Sequence, residues 1–341
     1  MSVARDVLSK LRQKFIAWRG GRAPVDEPAT PTLFEADAYL GYDAADIDRL
    51  TILSAPIAPP PREGFVTNFI GTSTRLHMLP GTERFDGQTI AELPIPGDSL
   101  HAETIEYSAL ALALSQRRND QFQMIELGAG WAPWMAAAGV VARRLGVADI
   151  RLLGIEADPT HFEFCKQHLA DNGLRPDTDE PHTTFDGVDC VLMMGAVWWE
   201  DTELFFPDEP SPMDYGLAAQ QGDSASDYRG ARLAQRRVQA FGLHRLIEER
   251  GVIDFIHFDI QGGEWEVITR SLDALTGSVR FMCIGTHSRK IEGDLLELLT
   301  THGWSLHNEK PCRFVHDPAV PTLAGMTTAD GVQVWRNSRI A

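Results

Sequence analysis

Several kinds of sequence feature are missing from this 341-residue chain. No run of about 18 apolar residues is long enough for a transmembrane helix, and the N-terminus lacks the apolar core of a secretory signal. None of the eleven histidines forms an HExxH pair. The four cysteines stand far apart, without a CxxC pair: Cys165, Cys190, Cys283 and Cys312. These absences predict a cytoplasmic protein with reduced thiols and without a zinc site or a disulfide framework.

Positive charge is also scarce beyond the first 22 residues. The chain has a formal net charge of −17. Residues 1–22 contain six arginines and lysines against Asp6, which is +5, so the remaining residues carry −22. Such an acidic body repels a phosphate backbone, and this disfavours a nucleic-acid substrate.

Residues 1–22 are predicted to form a basic amphipathic helix. Their apolar residues recur at helical spacing and share one face: Val3, Val7, Leu11, Phe15 and Trp18. A helix of this kind can bind the anionic inner face of a membrane as a peripheral contact. It can equally pack on the core of its own chain or on a second subunit of a homo-oligomer. Both interpretations remain open.

The composition changes twice after this segment. Residues 23–97 mix acidic residues with prolines and predict a linker and an irregular N-terminal arm. Residues 98–341 alternate apolar, β-branched segments with amphipathic helices. This alternation predicts an α/β domain with a doubly wound, mostly parallel sheet that is covered on both faces. Ligands of such a fold bind outside the carboxyl ends of the strands.

The segment "ELGAGW" ends the first predicted strand of this domain. Gly128 and Gly130 would let the chain turn sharply and let a ligand approach the backbone. The next strand ends at Glu156, whose carboxylate can bind both hydroxyls of a ribose. A dinucleotide would need a third glycine where the chain has Pro133. Glu126 would suit the cationic end of S-adenosylmethionine, so the loop favours that cofactor. A nicotinamide-dependent oxidoreductase is the alternative.

Five segments resemble the FkbM-type S-adenosylmethionine-dependent methyltransferases, which have the class I methyltransferase fold. They are "ELGAGWAPW", "GIEADP", "MMGAV", "IDFIHFDIQGGEWEVI" and "FMCIGTHSRKIEGDLLELLTTHGW". The resemblance implies a seven-stranded sheet with an antiparallel last strand, "GVQVWRN". It also implies methyl transfer to a hydroxyl, typically of a sugar in a surface glycan or its lipid- or nucleotide-linked precursor.

The strand ends then supply the expected site residues. Asp259 is expected beside the donor, and His287 as a general base, because the pKa of histidine lies near neutral pH. Glu264 is expected to orient His287 or to bind a sugar hydroxyl. The residues expected to contact the cofactor are Glu126, Gly128, Gly130, Trp131, Glu156, Gly195, Ala196 and Asp259. Those expected to contact the acceptor are Gln261, Trp198 and Trp199, the last two in a predicted loop of aromatic and acidic residues at 195–216.

Two positions depart from the family pattern. Gln261 replaces a carboxylate in "DIQGGE", and Gly285 replaces a glutamate in "IGTH". Without these two acids an acidic metal cluster is incomplete, so we predict no metal ion. The same losses leave open a non-catalytic S-adenosylmethionine-binding partner of a glycan-assembly complex. Methyl transfer is the favoured prediction because Asp259, Glu264 and His287 are retained.

Overall fold

The computed structural model describes most of the chain from residue 41 onward. The described residues are 41–57, 59–79, 81–91, 102–178, 185–208, 211–222, 233–320 and 322–340. The predicted helix at 1–22 and residues 23–40 of the predicted linker lie outside this set. Among the described residues, no helix has both the length and the apolar character that crossing a membrane requires.

Residues 41–91 contain short elements that belong to the predicted N-terminal arm. They are the helix α1 (Ala44–Arg49), three single-turn helices at Leu50–Leu53, Leu76–Met78 and Glu83–Phe85, and the strands β1 (Phe65–Asn68), β2 (Ser73–Arg75) and β3 (Thr89–Ile90). The three strands form one small sheet in the order β2-β1-β3. This part of the arm therefore has regular structure.

Strands and helices alternate through the rest of the chain. In order they are α2 (Thr104–Ser115), β4 (Gln121–Leu127), α3 (Pro133–Arg144), β5 (Asp149–Glu156), α4 (Pro159–Asp171), β6 (Val188–Met194), β7 (Ala196–Trp198), β8 (Thr202–Pro207), β9 (Gln235–Gly242), α5 (Leu243–Arg250), β10 (Ile253–Phe258), α6 (Glu264–Arg270), α7 (Leu272–Ser278), β11 (Val279–Thr286), α8 (Arg289–Thr301), β12 (Trp304–Lys310), β13 (Arg313–Phe314), β14 (Thr327–Ala329) and β15 (Gly331–Asn337).

Seven of these strands form the central sheet, in the order β12-β15-β11-β10-β4-β5-β6. The pairs from β11 to β6 are parallel, and β15 is antiparallel to both β11 and β12. The predicted sheet, including its antiparallel last strand, is confirmed, and its arrangement is that of the class I methyltransferase fold. In the parallel part of the sheet, β5 and β6 lie outward from β4 on one side, and β11 lies outward from β10 on the other. The ends of β4 and β10 therefore mark the switch point where ligands of this fold bind.

Two apolar layers enclose the sheet, one on each face. Met124 of β4 packs with residues of α2, α3 and α4, whereas the next residue, Ile125, packs with residues of α5 to α8. Both side chains are completely buried. Strands that are covered on both faces are apolar at most positions, which explains the nearly continuous apolar segments in the sequence.

The interpretation of residues 195–216 as a loop is wrong for its first part. β7 pairs in parallel and β8 antiparallel with β9, so these strands form a separate three-stranded sheet. Leu204 and Phe206 of β8 are buried, whereas Glu203 is exposed. The difference in burial between neighbouring residues of β8 therefore reflects the two faces of a strand. Residues 211–216 lie outside the helices and strands.

The small N-terminal sheet is attached to α4 and to the turn before α3. The side chain of Asn172 accepts the backbone N–H of Ser73 at 2.8 Å. His168 lies 3.0 Å from the Thr74 hydroxyl and 2.9 Å from the Trp131 carbonyl. Burial lowers the pKa of His168 to about 4, so the ring is neutral and can accept one bond while donating the other. The N-terminal sheet thereby supports the turn at Trp131.

Candidate active site at the carboxyl ends of the strands

The turn between β4 and α3 forms the floor of a pocket. Gly128, Gly130 and Ala132 all have positive φ, at +74°, +60° and +59°. A Cβ at Gly128 would lie 2.0 Å from the carbonyl oxygen of Asp259, so no other residue fits between β4 and β10. A Cβ at Gly130 would come no closer than 3.4 Å to the Tyr215 ring, which is ordinary contact. Gly128 is therefore required by packing, whereas Gly130 leaves room on the pocket side.

Glu126 closes the start of α3. Its two carboxylate oxygens accept the backbone N–H groups of Trp134 at 3.1 Å and Met135 at 2.8 Å. These N–H groups would otherwise be unpaired, because Ala132 provides no side-chain cap. Burial raises the pKa of Glu126 to about 7. Glu126 lines the pocket as predicted for a cofactor residue, but both oxygens are engaged by the helix.

Glu156, at the end of β5, is held by the backbone on both of its oxygens. It accepts the N–H of Gly130 and the N–H of Asp158, each at 2.7 Å. Its side chain lines the pocket and is almost completely buried. Each carboxylate oxygen can accept a second bond. The carboxylate is therefore fixed in place and can still receive hydroxyl groups from a ligand.

An apolar wall follows Glu156 along the strand ends. It includes residues after β6 and residues of the small sheet and its connection: Gly195, Ala196, Val197, Trp198, Phe206 and Leu217. Such a wall suits a flat aromatic group. Trp199 is absent from the residues that line the pocket in the described structure, and the Arg270 guanidinium lies 5.2 Å from the centre of its ring. The two tryptophans predicted to contact the acceptor are thus separated, and only Trp198 lies at the pocket.

Asp259, His287 and Glu264 meet where β10 and β11 end side by side. His287 Nε2 lies 3.2 Å from Asp259 Oδ1, and Nδ1 lies 3.0 Å from Glu264 Oε1. Glu264 is completely buried and also accepts the backbone N–H groups of Ile260 and Gly262. The Asp259 side chain remains 42% exposed, whereas that of His287 is 3% exposed. Asp259 is therefore the member of this cluster that faces the pocket.

The two carboxylates determine the protonation of His287. Burial lowers the pKa of His287, but the charges and bonds of Glu264 and Asp259 outweigh it and hold the pKa well above its usual value. Burial raises the pKa of Asp259, but the contact with His287 outweighs it, and that pKa lies below its usual value. These directions favour an imidazolium beside a carboxylate near neutral pH. The role of His287 as a general base stays a prediction.

The two positions that depart from the family pattern both adjoin Asp259. Gln261 donates from Nε2 to Asp259 Oδ1 at 2.7 Å and lines the pocket, and its own φ is +57°. A Cβ at Gly285 would lie 3.6 Å from the same oxygen. Within the described ranges, no group of three or more histidine, cysteine, aspartate or glutamate side chains is arranged to hold a metal ion.

Glu106 and His257 also line the pocket, and sequence reasoning missed both. His257 Nε2, on β10, lies 3.2 Å from Glu106 Oε1, on the first turn of α2. His257 lies two residues before Asp259. Because side chains alternate along a strand, this spacing could have indicated that His257 faces the same side as Asp259. Nothing local indicated Glu106, because 151 residues separate it from His257.

Tyr215 covers the pocket from the segment that follows β8. Its ring stacks on His161, with the ring centres 4.2 Å apart and the planes at 7°. Its hydroxyl donates to the Met78 carbonyl at 2.7 Å. Tyr215 also packs edge-on against Trp131, with 5.0 Å between ring centres. Sequence reasoning missed Tyr215, because its position over the glycine turn depends on these long-range contacts.

Comparison with known proteins finds a relative by sequence and distant similarities among solved structures. No protein-family model matches the chain, so membership of the FkbM-type family stays a prediction. A protein of Jannaschia sp. (strain CCS1), named "Putative methyltransferase", is 29% identical over 282 residues, which are 80% of this chain and 92% of the relative.

Among solved structures, methyltransferase FkbM from Methylobacillus flagellatus KT is 14% identical, with a TM-score of 0.36, over 68% of this chain and 54% of that one. Precorrin-6y C5,15-methyltransferase from Geobacter metallireducens GS-15 is 13% identical, with a TM-score of 0.34, over 67% of this chain and 86% of that one. Likenesses this distant add nothing to what the strand order already shows.

Proposed function

We propose that the protein is an S-adenosylmethionine-dependent O-methyltransferase that acts on a sugar hydroxyl, in a surface glycan or its precursor. The observation that carries the proposal is one continuous pocket along the strand ends, which joins the fixed carboxylate of Glu156 to the exposed carboxylate of Asp259. The carboxylate of Glu156 suits a ribose, and that of Asp259 suits an acceptor hydroxyl that must lose a proton. The name of the Jannaschia relative agrees with methyl transfer.

The pocket residues fit this cofactor. Glu156 would accept the ribose hydroxyls, because its position is fixed by Gly130 and Asp158 while each oxygen can accept a further bond. The wall around Ala196 and Trp198 would hold the adenine ring. The start of α3 is occupied by the Glu126 carboxylate, which excludes the phosphate that a dinucleotide would place there. The pocket therefore suits an adenosine without phosphates.

Asp259 is the group that can receive the acceptor's proton. When bound, S-adenosylmethionine supplies an electrophilic methyl group for in-line attack by the acceptor oxygen. That hydroxyl becomes strongly acidic as its oxygen gains the methyl group, so a carboxylate with a low pKa is a sufficient base. His287 holds Asp259 in place and Glu264 holds His287. The sequence predicted His287 as the general base. In this proposal Asp259 is the base instead, and His287 is a positioning residue.

Asp259→Asn tests the proposal because it removes the base and keeps the size of the side chain. Purified protein is titrated with S-adenosylmethionine in a calorimeter and then incubated with methyl-labelled cofactor and surface glycans, with products read by mass spectrometry. We expect wild type to bind the cofactor and methylate a glycan, and Asp259→Asn to bind it without methylating. Asp48→Asn, an exposed change away from the pocket, is the matched control.

Two results would overturn the proposal. Wild-type protein that binds NADH but not S-adenosylmethionine would instead support a nicotinamide-dependent oxidoreductase. Binding of S-adenosylmethionine without methylation of any glycan, when glycans from cells lacking this protein are used as acceptors, would contradict the sugar acceptor.

A further inference from the structure

Residues 211–216, here called the strap, lie over the glycine turn and have no role in the function proposed above. Asp214 and Tyr215 of the strap line the pocket. A Cβ at Gly130 would lie 3.4 Å from the Tyr215 ring, so the ring rests against the turn. The same turn contacts Glu156, because that carboxylate accepts the Gly130 N–H. The Tyr215 ring therefore covers the place where a ribose would reach Glu156.

Side-chain contacts hold the strap to the body of the protein. The Tyr215 ring stacks on His161 of α4, with the ring centres 4.2 Å apart, and its hydroxyl donates to the Met78 carbonyl at 2.7 Å. His161 Nε2 lies 3.0 Å from the Pro212 carbonyl oxygen, which can only accept, so this nitrogen donates. Burial raises the pKa of Tyr215, so its hydroxyl keeps the proton that makes the bond to Met78.

The residues that follow the strap are held in a different way. Gln220 and Phe205 of β8 exchange two backbone hydrogen bonds, at 3.0 Å and 2.9 Å. Leu217 is buried among the apolar residues that cover one face of the central sheet. Local opening begins where few buried apolar contacts hold a segment. The strap can therefore lift from the turn while the segment from Leu217 to Gln220 stays in place.

We propose that the strap opens to admit the cofactor and that the bond from Tyr215 to Met78 holds it closed. In this proposal S-adenosylmethionine reaches Glu156 only after the Tyr215 ring leaves the turn, and the strap closes again over the bound nucleoside. Met78 belongs to the N-terminal arm, so the arm controls entry to the pocket as well as supporting the turn. Lids of this kind move in microseconds to milliseconds and keep water from the reacting groups. The proposal rests on the proposed function and adds a step that precedes binding.

Stopped-flow mixing with S-adenosylhomocysteine tests the proposal. Binding is followed by the fluorescence of the tryptophans that line the pocket, Trp131, Trp134 and Trp198. Tyr215→Phe keeps the ring and removes only the bond to Met78. Because that bond breaks both on entry and on release, the association and dissociation rate constants should each rise roughly 2- to 10-fold, the effect of one neutral hydrogen bond. The Kd, which is their ratio, should stay within about twofold of wild type.

The matched control is Tyr42→Phe, which removes the hydroxyl of a tyrosine outside the pocket lining. A rise in the dissociation rate constant alone would mean that Tyr215 only touches the ligand. Unchanged rate constants would mean that the bond to Met78 does not hold the strap closed. Either result overturns the proposal. Wild-type protein that does not bind S-adenosylhomocysteine contradicts the proposed function itself and, with it, the role of the strap.

If Tyr215→Phe does not fold, His161→Phe takes its place. This variant keeps a ring against Tyr215 and removes the bond to Pro212. Both rate constants should again rise roughly 2- to 10-fold. His302→Phe, on an exposed histidine, should behave like wild type. Rate constants that His161→Phe leaves unchanged would overturn the proposal.

Discussion

The two ends of the pocket hold their carboxylates by different means. At the β5 end, Glu156 is fixed by two backbone N–H groups, from Gly130 and Asp158. At the β10 end, Asp259 is fixed by the side chains of His287 and Gln261. A backbone N–H keeps its proton at any ordinary pH, whereas an imidazolium can lose one. The β5 end is therefore suited to binding a ligand group that does not react, and the β10 end is suited to a reaction step that transfers a proton.

The two ends also differ in the sequence separation of the residues that meet there. Gly130, Glu156 and Asp158 belong to two consecutive strand–turn–helix units. His287 reaches Asp259 from the next strand of the sheet, and Glu106 reaches His257 from a helix 151 residues away. The nucleoside end thus depends on local turns, and the other end on the packing of the whole domain.

The largest expected effect concerns the turn between the two ends. Gly128→Ala should lower the free energy of unfolding by roughly 3–5 kcal/mol, because its Cβ meets the Asp259 backbone and its φ is positive. Gly130→Ala, with positive φ but no clash, should cost only about 1–2 kcal/mol. Urea unfolding of both variants measures the difference. Equal losses would mean that β4 and β10 separate easily.

Glu156→Ala should weaken binding of S-adenosylmethionine by roughly 1.5–3 kcal/mol, the scale of hydrogen bonds to a charged acceptor. The loss should be the same for 5′-methylthioadenosine, because the two ligands share the ribose. Calorimetry provides the measurement, and Glu163→Ala, on an exposed glutamate of α4, the control. Unchanged affinity in a folded variant would remove Glu156 from the ribose site.

A smaller effect should appear in the dependence of stability on pH. The pKa of His287 in the folded protein lies well above the ordinary histidine value of about 6.5, so the folded state binds the proton more tightly than the unfolded state. The resulting stabilisation is complete below about pH 6.5 and is lost as the pH rises through the folded pKa.

Urea unfolding at several pH values measures this contribution. His287→Gln should remove it, so that wild type loses more stability than the variant between neutral and alkaline pH. His302→Gln should behave like wild type. A wild-type protein whose stability rises relative to His287→Gln over that range would show that the imidazolium is not favoured by the fold.

The smallest expected effect is that of chelation, which should leave methyl transfer unchanged. The carboxylates around His287 already have protein partners, and Gln261 and Gly285 stand where further acids would be needed for a metal site. Activity is compared before and after treatment with EDTA. Loss that is restored by Mg²⁺ or Mn²⁺ would contradict this prediction.

Much of the fold could be predicted from the sequence because its signals are local and periodic. Continuous apolar segments between amphipathic helices predicted the doubly wound sheet, whereas the antiparallel direction of its last strand, "GVQVWRN", was implied only by the resemblance to the FkbM-type methyltransferases. The same kind of signal was misread at residues 195–207, where alternating aromatic and acidic residues were interpreted as a loop. A short strand and an aromatic loop have similar compositions, and only the pairing of β8 with β9 distinguishes them.

The candidate site, like the fold, has some features that local sequence signals predict and others that depend on tertiary packing. The sequence by itself determined that Gly128, Gly130, Glu156 and Asp259 lie at or just beyond strand ends, because turns after buried strands are commonly glycine-rich or polar and parallel strands end at one edge. Only the tertiary structure decided which side chains meet there. The neighbouring ends of β10 and β11 place His287 between the carboxyl groups of Asp259 and Glu264, and the packing of α2 brings Glu106 to His257. The protonation state of a buried group depends on the charges around it, and no local pattern specifies those charges.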